Sequence, residues 1–211
     1  VVETRAEIRQ ELDDLGFTHL GTNRLNNFVD QAASRIVNED NWVFRERTTF
    51  VTGTATLDAP GGQVQYVHET ANWQNILKPI EKEEAYRRFG GSGVSGLPAG
   101  AAQFYYMQGD DGIGLCPTGV NCTVHYLTAA GWTTGLEAAA SETDTPIVPI
   151  AWRHTIVLAG QIECLRDDDR IEEVPAVQAQ LDIELERMRT RLLSLQVDEK
   201  RRVRPPADGG Y

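Results

Sequence analysis

This chain of 211 residues has few cysteines, few histidines and a shortage of positive charge. Its three cysteines, Cys116, Cys122 and Cys164, are an odd number without CxxC spacing. That excludes a disulfide framework and a recognisable zinc site, and it fits reduced thiols in a cytoplasmic product. Cys116 and Cys122 could meet across adjacent strands, but packed thiols are the simpler reading. The four histidines, His19, His68, His125 and His154, are scattered. His154 falls on an apolar helix face and reads as a core or capped histidine. His125 alternates with Val124 and Tyr126 and belongs on the less buried face of a strand.

Basic residues number 20 against 31 acidic ones, for a net charge of −11. Bare nucleic acid is therefore a poor partner for the whole surface, because phosphate binding is driven by basic groups. Acidity favours solubility, and it would also repel DNA sliding past. No apolar run approaches the roughly 20 residues that span a bilayer, so no membrane is expected. The opening VVETRAEIRQELDDLGF is charged and amphipathic, unlike a secretory signal.

Catalytic signatures are missing as well. There is no GxSxG, HExxH, P-loop or dinucleotide fingerprint. The glycine-rich stretch GGSGVSGLPAG, 90–100, lacks the Lys-Ser/Thr of a phosphate cradle. Asp167, Asp168 and Asp169 lack the alternating spacing and glycine of a calcium loop and read as a solvated turn. Asp110 and Asp111 read as hairpin chemistry. No catalytic, cofactor-binding or metal-ligating residue is assigned, no cofactor is expected, and an enzyme is the least favoured class.

What is present is a change of period. Residues 4–15 repeat apolar positions at helical spacing (Ile8, Leu12, Leu15), with Gly16 placed to end the helix. Thr22 or Asn23 can cap a second helix whose stripe is Leu25, Phe28, Val29, Ala32 and Ile36. After the polar stretch 38–41 and Trp42, the period becomes that of strands. Thr48–Val51, 63–67, 73–80 (with Pro79 suiting an edge or bend), 103–108, 113–116 and 122–127 are strand candidates. A short helix or turn is expected over 81–89. Helical spacing returns at 147–166 and again at 175–196, where Val177, Leu181, Leu185, Met188, Leu192 and Leu195 form a stripe.

The expected fold class is therefore α+β: a helical frame of about four helices with an inserted antiparallel β-sheet or sandwich module. The frame takes 1–42 and 146–197, and the β module 43–131. A linker covers 132–145, and an extended basic arm covers 198–211. Trp42 is expected at the seam of frame and module.

Two features point to partners. Phe104, Tyr105 and Tyr106 are adjacent in one strand, so they must point to both faces of a sheet. One face can fill the core. The other meets a neighbouring layer or another subunit, and these residues are candidate subunit or tail contacts. The second feature is the cluster Lys200, Arg201, Arg202 and Arg204. It is either a plain disordered end or an arm that orders on a partner.

Three segments together resemble the head-to-tail adaptor (connector) proteins of tailed bacteriophages. They are AEIRQELDD…NRLNNFVDQAASRIVNEDNWVFRERTTF, then GLPAGAAQFYYMQGDDGIGLCPTGVNCTVHYL, then DTPIVPIAWRHTIVLAGQIECLRDDDRIEEVPAVQAQLDIELERM. The first is similar to the family's opening helix pair, tryptophan and Thr-rich strand. The second is similar to its aromatic strand, hairpin and turn-Pro series, and the third to its closing helical pair. The chain departs from the pattern at QYVHETANW, which lacks a Leu-Pro step.

The resemblance implies a structural virion protein, assembled in the host cytoplasm and located in the neck between portal and tail. It implies a homo-oligomeric ring, commonly a dodecamer, docked on the portal protein and joined to the next neck or tail protein. DNA would pass through the channel without sequence-specific binding, and no catalytic residues are implied. On this reading Lys200, Arg201, Arg202 and Arg204 are portal-binding candidates. The alternative from another class is a non-enzymatic binding module that uses an exposed aromatic β face for a carbohydrate or protein ligand.

Overall fold

The computed structural model describes residues 4–57, 63–89, 102–109, 112–116, 120–135 and 138–202, with side chains through Leu192 other than that of Phe89. The fold is α+β, with five helices and two sheets of four strands each among the described residues. The chain divides into two compact units. The described parts of 4–44, 131–134 and 138–202 form a helical unit. Those of 45–130, with Gly135, form a β unit.

In the helical unit, α1 spans Arg5–Leu12 and opens with a capping box. Thr4 Oγ1 accepts from the Glu7 amide while the Glu7 carboxylate accepts from the Thr4 amide, which satisfies two otherwise orphaned donors. Gly16, at φ +100°, turns the chain in the left-handed region open to glycine. Helix α2 is Thr22–Asn38. Its N-cap is Gly21 without a side-chain cap, so neither Thr22 nor Asn23 does the capping expected of it. Helix α4, His154–Asp167, follows a 3-10 turn at Ile150–Trp152. It therefore starts later than the sequence suggests, and His154 is exposed at its first position rather than buried.

Helix α5 runs Val174–Arg202, beyond the expected end near 196. Residues 198–202 are thus helical, where an extended arm was expected. Leucine, glutamate, lysine and arginine are all good helix formers, and LSLQVDEKRR contains no glycine or proline to break the helix.

One core joins these helices: Ile8 and Leu12 from α1, Leu25, Val29 and Ile36 from α2, Ile156, Ile162 and Leu165 from α4, and Leu181, Leu185 and Met188 from α5. The tryptophans Trp42 and Trp132 belong to it as well. Trp42 is buried in this helical core, where its Nε1 donates to the Ile36 carbonyl at 2.7 Å, its ring stacks on Phe44 and Arg189 sits over it. Gly160 marks a close approach of α4 to α1, since a Cβ there would lie 3.1 Å from Leu12 Cδ1.

The stretch 132–145, expected to be a linker, is built into the helical unit at most of its described positions. Trp132 is fully buried and bridges Pro146. The carbonyls of Glu142 and Asp144 accept from the first amides of α1. Arg9 donates to the Glu142 carboxylate at 2.5 Å and to Asn26 at 3.2 Å.

The β unit is a sandwich. One sheet has the order β1 (Glu46–Thr52), β8 (Asn121–Leu127), β3 (Gln63–Glu69), β4 (Asn72–Ile76), antiparallel throughout. The other has the order β2 (Thr54–Thr56), β7 (Gly112–Cys116), β6 (Phe104–Gln108), β5 (Lys78–Pro79). It is not wholly antiparallel, because β5 pairs parallel with β6. Gly53, at φ +88°, passes the chain from β1 in one sheet to β2 in the other, and Leu77 links β4 to β5 in the same way. Such sheet-switching strands make the corners of a sandwich. Pro79 lies on the edge strand β5, where its missing N–H leaves no ladder bond unmade.

Val51, Val67, Cys122, Val124 and Tyr126 from the first sheet share a core with Tyr105, Ile113 and Leu115 from the second. Helix α3, Lys82–Phe89, lies against the other side of β6, where Ala85, Tyr106 and Cys116 form a smaller core.

Candidate functional site

The aromatic strand β6 is absorbed by the fold. Tyr105 points into the sandwich core. Tyr106 points the other way, is only 1% exposed and packs under α3. Its ring lies over Gly114, where a Cβ would stand 2.3 Å from Tyr106 Cζ. Burial, together with Tyr86, pushes its phenol up to about 12. Phe104 is half-buried beside α3, with the Arg88 guanidinium over its ring. The layer that sequence reasoning asked for is therefore α3, and Tyr105 and Tyr106 offer no platform without unpacking.

The exposed aromatic face lies on the other sheet. Across its outer side run Phe50 (β1), Thr123 (β8), His68 (β3) and Ile76 (β4), each opposite the next in register. Beside that row runs a second: Thr48, His125 and Tyr66. Phe50 is 71% exposed and Ile76 60% exposed. Apart from this row, Trp73 is 72% exposed on the edge strand β4. Tyr66 stacks on His125 with ring centroids 4.3 Å apart. Large apolar side chains gathered on one sheet face mark an interaction surface more than a solvated one. The sequence held a signal for this face. In TTFVT, Phe50 and Val51 are neighbours and must point to opposite sides of the sheet.

Lys200, Arg201 and Arg202 lie on the last turns of α5, and Arg204 lies outside the described residues. Residues 110–111 and the glycine-rich stretch 90–100 are also outside the described residues. The acidic turn after α4 takes basic partners. Asp167 pairs with Arg24, and Asp168 accepts from His19 at 2.7 Å. The Asp168 hydrogen bond raises the His19 pKa above its ordinary value. Arg170 forks onto Glu173 with two contacts of 2.8 Å.

Between α1 and α2, Arg5 donates to Asp30 at 2.6 Å. Burial raises the Asp30 carboxyl, against the lowering effect of the Ala139 amide and Arg5. Asp30 stands off the apolar stripe of α2, so its burial does not show in the local pattern.

The three cysteines are free and buried, and Cys116 and Cys122 belong to different sheets. Burial pushes Cys122 up to about 11 and Cys164 up to about 12. Thiols held that high supply no thiolate nucleophile at neutral pH. A groove of about 680 Å³ in the helical unit is lined by Trp152, Ile183, Glu186, Arg187, Thr190 and Arg191. Its lining side chains include no Ser, Cys, His or Lys. No group of three or more His, Cys, Asp or Glu side chains placed to hold a metal occurs among the described residues. No helix among them is long and apolar enough to cross a membrane.

In comparison with known proteins, the chain matches no family model and no curated protein.

Proposed function

We propose that this chain is a subunit of a head-to-tail adaptor ring of a tailed bacteriophage, a structural protein of the virion neck. The observation that carries the reading is the chain order. Two N-terminal and two C-terminal helices close one core around the sequence insertion of a β sandwich, the arrangement that the resemblance implies. The ring extends the DNA channel below the portal protein and meets the next neck or tail protein. Its work is assembly, with no turnover.

On this reading the outer sheet face, with Phe50, Tyr66 and Ile76, is the subunit or tail contact in place of Phe104, Tyr105 and Tyr106. Fully desolvated aromatic side chains carry much of the energy of such interfaces. The basic cluster Lys200, Arg201, Arg202 and Arg204 docks on the portal. The net charge of −11 supports a mainly acidic channel lining along which DNA slides without sticking.

Size measurement on the chain mixed with its portal protein tests the reading. A ring-sized complex containing many copies is expected, whatever the chain does alone. A chain that stays monomeric and separate from the portal overturns it.

The second reading, a carbohydrate- or protein-binding module, is favoured by one observation: Trp73, Phe50 and Tyr66 are exposed on one sheet. It expects a monomer in the presence of portal, with binding to a glycan or peptide that Trp73→Ala removes.

A further inference from the structure

On the outer face of the first sheet, two imidazoles meet. His68 on β3 and His125 on β8 are diagonal neighbours across the strand pair, since His125 is opposite Tyr66 and His68 is opposite Thr123. Their Nε2 atoms are 3.2 Å apart and their ring centroids 5.3 Å apart. Each outer nitrogen is held in turn. His68 Nδ1 lies 2.9 Å from the Glu69 carbonyl, which can only accept, so that nitrogen carries the proton and Nε2 keeps its lone pair. His125 Nδ1 lies 3.4 Å from Thr48 Oγ1, a hydroxyl that can donate or accept. Tyr66 stacks on the His125 ring and fixes its plane.

We propose that His68 and His125 form a two-imidazole site for a divalent transition-metal ion of the zinc class. Imidazole nitrogen binds zinc at about 2.0–2.1 Å, so two ligands on one edge of a tetrahedron stand about 3.3–3.4 Å apart. The spacing of 3.2 Å is close to that edge. Without an ion, the contact is a single N–H···N bond in which His125 Nε2–H donates to His68 Nε2. With the ion, the His125 proton resides on Nδ1, where Thr48 Oγ1 accepts it, and both Nε2 lone pairs turn to the metal. A Nδ1–H held by a carbonyl, as in His68, is the outer-shell arrangement that orients metal-ligating histidines. Burial and the neighbouring His68 lower the His125 pKa, which keeps that ring neutral and ready to ligate at neutral pH. Water completes the coordination.

The site has a structural consequence. The pairing of β3 shifts register between Val64 and Tyr66 with β8, and between His68 and Glu69 with β4. An ion bridging His68 to His125 ties β3 to β8 between those two irregularities. Because it binds the folded state, it raises stability by mass action. The inference stands apart from the proposed assembly function, since it concerns one sheet of the single chain.

The test is titration of the full chain with ZnCl2 at pH 7.5, read by calorimetry and by melting with and without a chelator. Side-chain NMR then follows the four histidines. We expect saturable binding of one ion, a rise in melting temperature that the chelator reverses, and perturbed resonances for His68 and His125 but not for His19 or His154. His68→Ala and His125→Ala should each abolish the binding and the thermal shift, while His154→Ala keeps both. Absence of binding by the native chain overturns the site. So does binding that survives either substitution, or NMR changes confined to other histidines.

Discussion

Gly114 and His19 show how single residues report on their surroundings. At Gly114 the absence of a Cβ lets the buried Tyr106 ring lie against the β7 backbone. Gly114→Ala should cost about 1–3 kcal/mol of stability or somewhat more, because both the backbone and the ring beneath α3 must move. Denaturant unfolding of the two proteins measures it. His19 is held by Asp168, which raises its pKa above 6.5. A base whose folded pKa is raised contributes stability that is complete below 6.5 and is lost as pH rises through the folded value. Titration by NMR should place His19 above its ordinary value, and Asp168→Asn should return it there.

Individual residues were the least legible part of the sequence. Asp30 looked like a solvent-facing position of α2, yet it is buried opposite Arg5. A partner contributed 25 residues away leaves no trace in a local pattern. Tyr106 and Phe50 are both aromatic strand residues, and alternation places each on one face of its own strand. Which face another layer covers is a tertiary fact. Here α3 covers Tyr106 and leaves the outer side of the other sheet, with Phe50, open.

At the scale of elements, periodic stripes translated well into packing. Val177, Leu181, Leu185 and Met188 on α5 all reach the helical core, as do Leu25, Val29, Ala32 and Ile36 on α2. Boundaries translated less well. Pro149 lies before α4, but a 3-10 turn intervenes before the helix begins at His154. A strand pattern interrupted at Gly53 or Leu77 also does not say that the chain is changing sheets. The contrast between buried and exposed faces gives a paired expectation. Leu181→Ala should cost about 2–5 kcal/mol, the usual cost of emptying a well-packed core position. Phe50→Ser, on the exposed face, should leave stability within about 0.5 kcal/mol. If that face is an assembly contact, Phe50→Ser should nevertheless weaken ring formation. Thermal melting and particle sizing on the same preparations separate the two effects.

For the whole molecule, the α+β class was readable because the hydrophobic period changes from helical to strand-like near Val43 and back before α4. The assignment of 132–145 as a linker was not sound. Its polar composition concealed backbone carbonyls that cap α1, and Trp132 was the one strong sign of burial. The C-terminal cluster also looks different as part of α5. Lys200, Arg201 and Arg202 extend a long helix, so a partner would meet the end of that helix. Deleting 198–211 should leave the melting temperature of the helical unit unchanged and weaken capture by the portal protein. Unaltered capture would show that the cluster is not the docking element.

The proposed function comes down to whether many copies of this chain stand in a ring on a portal. Electron microscopy of the purified chain mixed with its portal protein observes that directly. The expected image is a closed ring of identical subunits, coaxial with the portal, around an open channel lined mainly by acidic side chains. Portal particles without added density, with the chain remaining free as a monomer, would contradict the assignment.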